Sequence, residues 1–266
     1  MKDEVTKILE NYYKSIDEDT RLIKDKAHNI EFLTTIHYIE KYLKRGNRIL
    51  EIGAGTGRYS IYFAKNDYNV NAVELLESNI RIFNENIKNN PTVKLKMRLD
   101  KGNATDLSMF KNDTFDITLL LGPIYHLFNV RDKEKAISEA LRVTKPNGKI
   151  FIAYITNETM IISEYLRKNR LKEIKNICDN NFRVIDNSNN IFSVSYISEF
   201  EKMMKQFDVR KLHQIGTDGI SPHLSNYINN LDIEEFDIWF KYHLSTCERK
   251  DLLGYSSHIL YIGEKI

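Results

Sequence analysis

The sequence predicts an α/β protein in which seven short strands form a doubly wound, mostly parallel sheet. Helices precede the sheet, and a helical elaboration covers one edge. Three observations predict it. Apolar residues recur at three- and four-residue steps in some segments and in short unbroken runs in others, as amphipathic helices and buried strands require. The two kinds alternate through the first 155 residues, the pattern of successive βαβ units. The first strand ends in the loop Gly53-Ala54-Gly55-Thr56-Gly57, and an open parallel sheet holds its ligand beyond such strand ends.

Each element follows in order. Residues 1–45 read as helices; Phe32, Ile36, Ile39 and Leu43 mark one buried stripe, and Gly46-Asn47 stops it. Arg48–Ile52 is the first strand, followed by a helix from Arg58 to Lys65. Strands are expected over 69–75, 93–99 and 115–121, with helices over 78–88 and 133–143 between and after them. Pro146-Asn147-Gly148 makes a turn into a fifth strand, 149–155. Residues 157–180 read as a helix carrying Arg167, Lys168, Arg170, Lys172 and Lys175, a run expected to be a solvated face. Ser198 with Glu201 reads as a capping box, and Asp232 with Glu235 as another. Ser221-Pro222 reads as an N-cap and first helical residue. Val209–Ile215 and His258–Ile262 complete the strands. Met203, Met204, Phe236, Trp239, Phe240 and Tyr242 are expected in the core. The expected organisation is a helical cap over 1–45, a binding core over 46–155, and the rest of the sheet with helical lid insertions over 156–266.

The chain has 266 residues, 42% of them hydrophobic and 29% charged, ordinary globular proportions. A net charge of +2 does not call for a polyanionic partner. The two cysteines, Cys178 and Cys247, have no metal-binding spacing and are expected to be reduced. The N-terminus lacks the apolar stretch of a signal peptide, and no run is long enough to span a membrane. A cytoplasmic protein is therefore expected.

The glycines discriminate between ligands. A dinucleotide loop reads G-x-G-x-x-G and a phosphate loop G-x-x-x-x-G-K-[ST]. Here glycines stand at 53, 55 and 57, with Glu51 two places before the first and Arg58 after the last. This E-x-G-x-G-x-G segment resembles motif I of class I S-adenosylmethionine (SAM)-dependent methyltransferases. The resemblance implies a Rossmann-like fold, SAM as cofactor, and methyl transfer. It assigns Gly53, Ala54, Gly55 and Gly57 to the methionine part of SAM and Glu51 to the neighbourhood of its amino group. Glu74, 21 residues after Gly53, matches the family's ribose-binding acid, and a carboxylate there can accept from both hydroxyls. Leu75 would pack on the adenine. Gly102-Asn103-Ala104-Thr105-Asp106-Leu107 resembles the family's G-D-A-x-x-L segment, with Asn103 in place of aspartate; its amide oxygen is expected to accept from the adenine amino group, beside Ala104. Leu121 and Gly122 lead into the segment that faces both cofactor and acceptor. LLLGPIYHLF is similar to a signature of largely uncharacterised bacterial methyltransferases, often grouped with small-molecule enzymes.

Four residues are candidates for chemistry. Tyr125 and His126 stand where an acceptor would meet the methyl group, and a histidine there can act as a base near neutral pH. Asp218 and His223 follow the sixth strand, at the same sheet edge if that strand runs parallel to the first. Tyr13 and Arg21 are candidates to cover the cofactor from the N-terminal side. No metal site is expected. A small-molecule acceptor is expected, with no membrane partner. The alternatives weighed are an RNA methyltransferase, a non-catalytic SAM-binding protein and an NAD-dependent oxidoreductase. Gly122-Pro123-Ile124-Tyr125 only half echoes the [DNS]-P-P-[YF] of nucleic-acid amino methyltransferases.

Overall fold

The computed structural model of the chain describes residues 2–185 and 191–266. Helices α1 (Lys2–Ser15) and α2 (Lys26–Glu40) precede β1 (Arg48–Ile52), α3 (Arg58–Lys65), β2 (Asn69–Glu74), α4 (Glu77–Lys88), β3 (Met97–Lys101), β4 (Phe115–Leu120), α5 (Val130–Val143) and β5 (Thr144–Ile155). The second half runs α6 (Asn157–Thr159), α7 (Ile174–Ile177), α8 (Ile197–Met204), β6 (Val209–Gly216), α9 (Ser225–Ile228), α10 (Ile233–Thr246) and β7 (His258–Lys265).

The sheet order is β3-β2-β1-β4-β5-β7-β6. Strands β1 to β5 pair in parallel, and β7 lies antiparallel between β5 and β6. Since β6 is antiparallel to β7, it runs with β1, so its C-terminal end reaches the same edge as the glycine loop. His258, the first residue of β7, pairs with Ile155, the last of β5, and so lies on that edge too. Strand order reverses between β1 and β4, the switch point where such sheets bind ligands.

Alternation within strands builds two apolar layers. On one face Ile49, Ile117, Phe151 and Ile262 pack with Ile36 and Ile39 of α2 and Phe63 of α3. On the other, Leu50, Ile52, Leu120, Ile150 and Ile152 pack with Ala136, Ile137 and Ala140 of α5. Phe200 of α8 stacks on Tyr154 of β5 with ring centroids 4.0 Å apart.

Several expectations change. The third strand begins at Met97 because Pro91 opens a 3-10 turn over Pro91–Val93, proline suiting a helix start better than a strand interior. The helix expected over 157–180 is broken: Met160–Leu166 widens to a π-helix and Asn169 enters the left-handed region at φ 56°, which ends the run. Ion pairs Lys168–Glu164 and Arg170–Glu173 place its basic residues on a solvated face. Positions 186–190 of the expected lid connection lie outside the described residues.

Helix α8 is capped at Tyr196, whose amide donates to the Glu199 carboxylate at 3.3 Å, two residues before the expected Ser198 and Glu201. This register lets Phe200 reach the core. Asp232 and Glu235 do form their box, with both bonds at 2.8 Å. Ser221 caps nothing; its hydroxyl accepts the Trp239 indole N–H at 3.1 Å, and α9 begins later, at Ser225. Helix α2 stops at Glu40, and β7 extends to Lys265. The aromatic run of α10 is not core: Trp239 and Phe240 are half-buried and Tyr242 is exposed, while His243 is the buried residue of that helix. Among the described residues no helix is long and apolar enough to cross a membrane.

Candidate functional site

The glycine loop leaves β1 and turns into α3. Gly53 and Ala54 amides donate to the Val73 carbonyl at 2.8 and 3.1 Å, tying the loop to β2. The three glycines serve different ends. A Cβ at Gly53 would lie 2.6 Å from Pro123, and one at Gly57 would lie 2.0 Å from the Phe83 ring. Those two allow the protein to pack on itself. Gly55, at φ +57°, has nothing within 4 Å of where its Cβ would stand. It faces open space, so its bare backbone is available to a ligand.

Glu74 closes the site from β2. It is 4% exposed, and its carboxylate accepts from the Gly55 amide at 2.8 Å and the Leu76 amide at 2.9 Å. Burial raises its pKa despite these bonds and that of Asn79. Leu75 is half-buried beside it. Glu51, 2% exposed, accepts from the Ser60 hydroxyl. Burial pushes its pKa up to about 8, against the Ser60 bonds and with a smaller contribution from Glu74. Burial thus favours the neutral carboxyl of Glu51, and a neighbouring cation would favour its ionised form. Asn103 departs from expectation: its amide oxygen accepts from the Thr105 amide at 2.9 Å and hydroxyl at 3.0 Å, an Asx turn. Among the described residues its NH2 group has no such partner. Ala104 is buried beside it, and Leu121 and Gly122 are half-buried.

The N-terminal segment is fastened over this edge. Glu10 of α1 accepts from the Glu77 and Ser78 amides at 2.8 and 3.3 Å, placing a negative charge on the positive end of α4. Asn86 donates to Asp19 at 2.7 Å and to the Thr56 carbonyl at 3.1 Å, and the Arg58 guanidinium donates to the Asp19 carbonyl. The loop and the 16–25 segment are thus held together by Arg58 of α3 and Asn86 of α4.

Beyond β4, Tyr125 donates to the Leu121 carbonyl at 3.0 Å, and burial keeps its phenol un-ionised. Tyr13 and His126 Nε2 are 2.8 Å apart, and His126 Nδ1 is 3.0 Å from the Ile191 carbonyl. Both nitrogens are engaged. Burial pushes the His126 pKa down to about 4, only partly offset by that carbonyl. An unfolded histidine titrates near 6.5. Below that pH the unfolded chain binds a proton that folded His126 refuses, so stability falls as pH drops from about 6.5 toward 4. We expect the wild type to lose about 2 kcal/mol more than His126→Gln between pH 7 and 5 in urea unfolding. Equal losses would mean that His126 is solvated.

A second cluster sits at the ends of β6 and β7. Asp218, 2% exposed, accepts at Oδ1 from the Ser256 hydroxyl and from the Ser257 and His258 amides at 2.5, 2.8 and 3.2 Å. Its Oδ2 is 3.0 Å from His258 Nδ1, and Glu31 of α2 lies 3.4 Å from the same nitrogen. Arg21 forks onto Glu31 at 2.8 and 3.3 Å and reaches Glu18 at 3.2 Å. The two clusters meet where the Tyr125 and His258 rings stand 6.4 Å apart.

Of the sequence candidates, Tyr13, Tyr125 and His126 thus come together, and Arg21 and Asp218 join through Glu31 and His258. His223 is not hydrogen-bonded to either cluster; its Nδ1 is buried without a partner among the described residues. Glu31 and His258 were not readable as site residues. Glu31 lies inside an amphipathic helix, and His258 reads as the first residue of an ordinary strand. Only the antiparallel placement of β7 brings its beginning to the ligand edge.

Residues 49–148 match the family model described as a methyltransferase domain. A norajmaline N-methyltransferase of Rauvolfia serpentina is 31% identical over 140 residues, covering 52% of this chain and 46% of that protein. A demethylmenaquinone methyltransferase of Streptomyces avermitilis is 35% identical over 127 residues, covering 46% and 50%. The chain spans about half the length of these curated relatives. A SAM-dependent methyltransferase structure from Thermotoga maritima has the same fold, with a TM-score of 0.56 at 17% identity and coverage of 100% of both chains. By domain match, residues 49–148 form a methyltransferase domain, and the chain as a whole shares the fold of SAM-dependent methyltransferase structures.

Proposed function

We propose that this protein transfers the methyl group of SAM to a small-molecule acceptor. The observation that carries this reading is the open space at Gly55 beside the buried carboxylate of Glu74. The residues present fit the cofactor. Bare backbone at Gly53, Ala54, Gly55 and Gly57 would lie along its amino-acid part. Glu51 would pair with its ammonium, Glu74 would accept from its ribose hydroxyls, and Leu75, Asn103 and Ala104 would border its adenine. Leu121 and Gly122 would face the reacting end, with Tyr13 and Arg21 on the N-terminal side.

Bound SAM supplies an electrophilic methyl group on a sulfonium. The chain's task is to align the acceptor with it and exclude water, and such alignment contributes up to about 7–11 kcal/mol in favourable cases. Tyr125, His126 and Phe192 form a wall with ring centroids 4.9–6.0 Å apart, suited to a flat apolar acceptor. Support for a small molecule comes from the two relatives, whose names give norajmaline and demethylmenaquinone. Cys178 and Cys247 are unpaired, which suits a reducing cytoplasm.

The test is formation of S-adenosylhomocysteine from SAM with a panel of thiols, amines and phenols. Turnover with a small acceptor is expected; turnover only with bulk RNA would overturn the reading. Binding also moves a proton. Burial favours the neutral carboxyl of Glu51 in the free protein, and the ammonium of S-adenosylhomocysteine would favour its ionised form, so binding is expected to release a proton, fewer than one per site. Calorimetry in buffers of different ionisation enthalpy measures it, and proton uptake would place the ammonium elsewhere.

A further inference from the structure

We propose that His258 is the general base of this site, accepting through Nε2 the proton of a phenolic or enolic hydroxyl while that oxygen is methylated, with Asp218 and Glu31 as positioning residues. The inference rests on the methyl-transfer reading above and names its acceptor class.

Geometry carries it. His258 Nδ1 is committed to Asp218 at 3.0 Å and lies 3.4 Å from Glu31. Two acceptors at Nδ1 fix the tautomer that carries its proton there, which leaves a lone pair on Nε2. Among the described residues no hydrogen-bond partner reaches Nε2, and it is not one of the buried side-chain atoms left without a partner. It is therefore accessible, in a side chain only 23% exposed. It stands on the sheet edge that holds the glycine loop, beside the aromatic wall of Tyr125 and Phe192.

The charges around the ring come from every element that faces it. They are Glu31 from α2, Arg21 from the segment before it, Asp218 from the end of β6 and the neutral phenol of Tyr125 after β4. With His258 protonated, Arg21, Glu31, Asp218 and His258 sum to zero. Burial works against the cation, but Glu31 and Asp218 outweigh it and raise the His258 pKa above 6.5. The ring is thus a stronger base than free imidazole. Glu31, Asp218 and His258 lie close enough to share a cation. However, the Arg21 guanidinium already occupies both oxygens of Glu31, and three donors occupy Asp218 Oδ1. The positive charge this cluster needs is built into the chain.

A base of this kind matters most for a hydroxyl. A thiol ionises readily near neutral pH, and a neutral amine attacks through its own lone pair. A phenol, with a pKa near 10, is a poor nucleophile until its proton leaves. In the proposed step the hydroxyl oxygen forms its bond to the methyl carbon. The carbon–sulfur bond breaks with its electron pair on sulfur, and the hydroxyl proton passes to Nε2.

The test is histidine NMR on the full chain labelled with 15N-histidine, with and without S-adenosylhomocysteine, the His258 signal being assigned by its loss in His258→Gln. Neutral His258 is expected to carry its proton on Nδ1 and to titrate above 6.5. Glu31→Gln, and Asp218→Asn where it folds, should move that titration to lower pH. Adding phenol to the S-adenosylhomocysteine complex should shift the Nε2 resonance. A proton on Nε2 in the neutral form, a titration unmoved by Glu31→Gln, an Nε2 signal indifferent to phenol, or one displaced by Mg2+ or Zn2+ would each overturn the proposal. Calorimetry on the same samples separates the two readings. If S-adenosylhomocysteine binds and His258 behaves otherwise, only the base assignment falls; if it does not bind, the methyl-transfer reading falls first.

Discussion

Gly57→Ala is expected to destabilise the protein by about 2–4 kcal/mol, combining left-handed strain with overpacking. The added methyl would lie 2.0 Å from the buried Phe83 ring at a backbone φ of +89°. Phe83 is wholly buried and cannot swing aside without opening the small cluster it forms with Ala54 and Ala72. Gly55→Ala separates stability from binding. Its φ of +57° makes alanine unfavourable by about 1–2 kcal/mol, but no protein atom stands in the way. Its methyl would instead occupy the space assigned to the cofactor. The expected result is a nearly normal fold with S-adenosylhomocysteine affinity reduced at least about tenfold, equivalent to ~1.4 kcal/mol. Urea unfolding and calorimetry on both variants check this. Wild-type affinity in Gly55→Ala would mean that the open space is not the cradle.

Glu74→Ala has the second large effect. It removes a buried acceptor from the Gly55 and Leu76 amides, and each donor left unmet costs about 1–3 kcal/mol. It also removes the charged acceptor assigned to the ribose, so affinity for S-adenosylhomocysteine should fall by about 1.5–3 kcal/mol. Glu74→Gln keeps one acceptor oxygen without the charge and should fall between. Unchanged affinity in both variants, measured by calorimetry, would place the sugar elsewhere.

The parallel half of the sheet was legible because each strand there is a short apolar run ended by a distinctive loop. Glu51, Gly53 and Glu74 were legible through the resemblance of their segments to the family's motifs, whose residues lie close together in the chain at the ends of β1 and β2. Less was legible where tertiary contacts override local preference. Ser221 and Pro222 look like a helix start, but the hydroxyl serves Trp239 and the helix begins later. Ser198 and Glu201 match the capping-box pattern, but burial of Phe200 selects Tyr196 and Glu199. The aromatic run of α10 reads as core, yet the helix lies on the surface with Ile238 and Tyr242 exposed. The place of Asp218 after the sixth strand is legible, while its partners Glu31 and His258 come from 187 residues before and 40 residues after it in the chain. No local pattern links them; the reversed final strand does.

The most direct measurement is thermal unfolding of the intact protein with S-adenosylhomocysteine and, separately, with NAD. A cradle at residues 53–57 with Glu74 at the sugar predicts stabilisation by S-adenosylhomocysteine, about 2.7 kcal/mol at a hundredfold excess over Kd, and none by NAD. Stabilisation by NAD alone would contradict it.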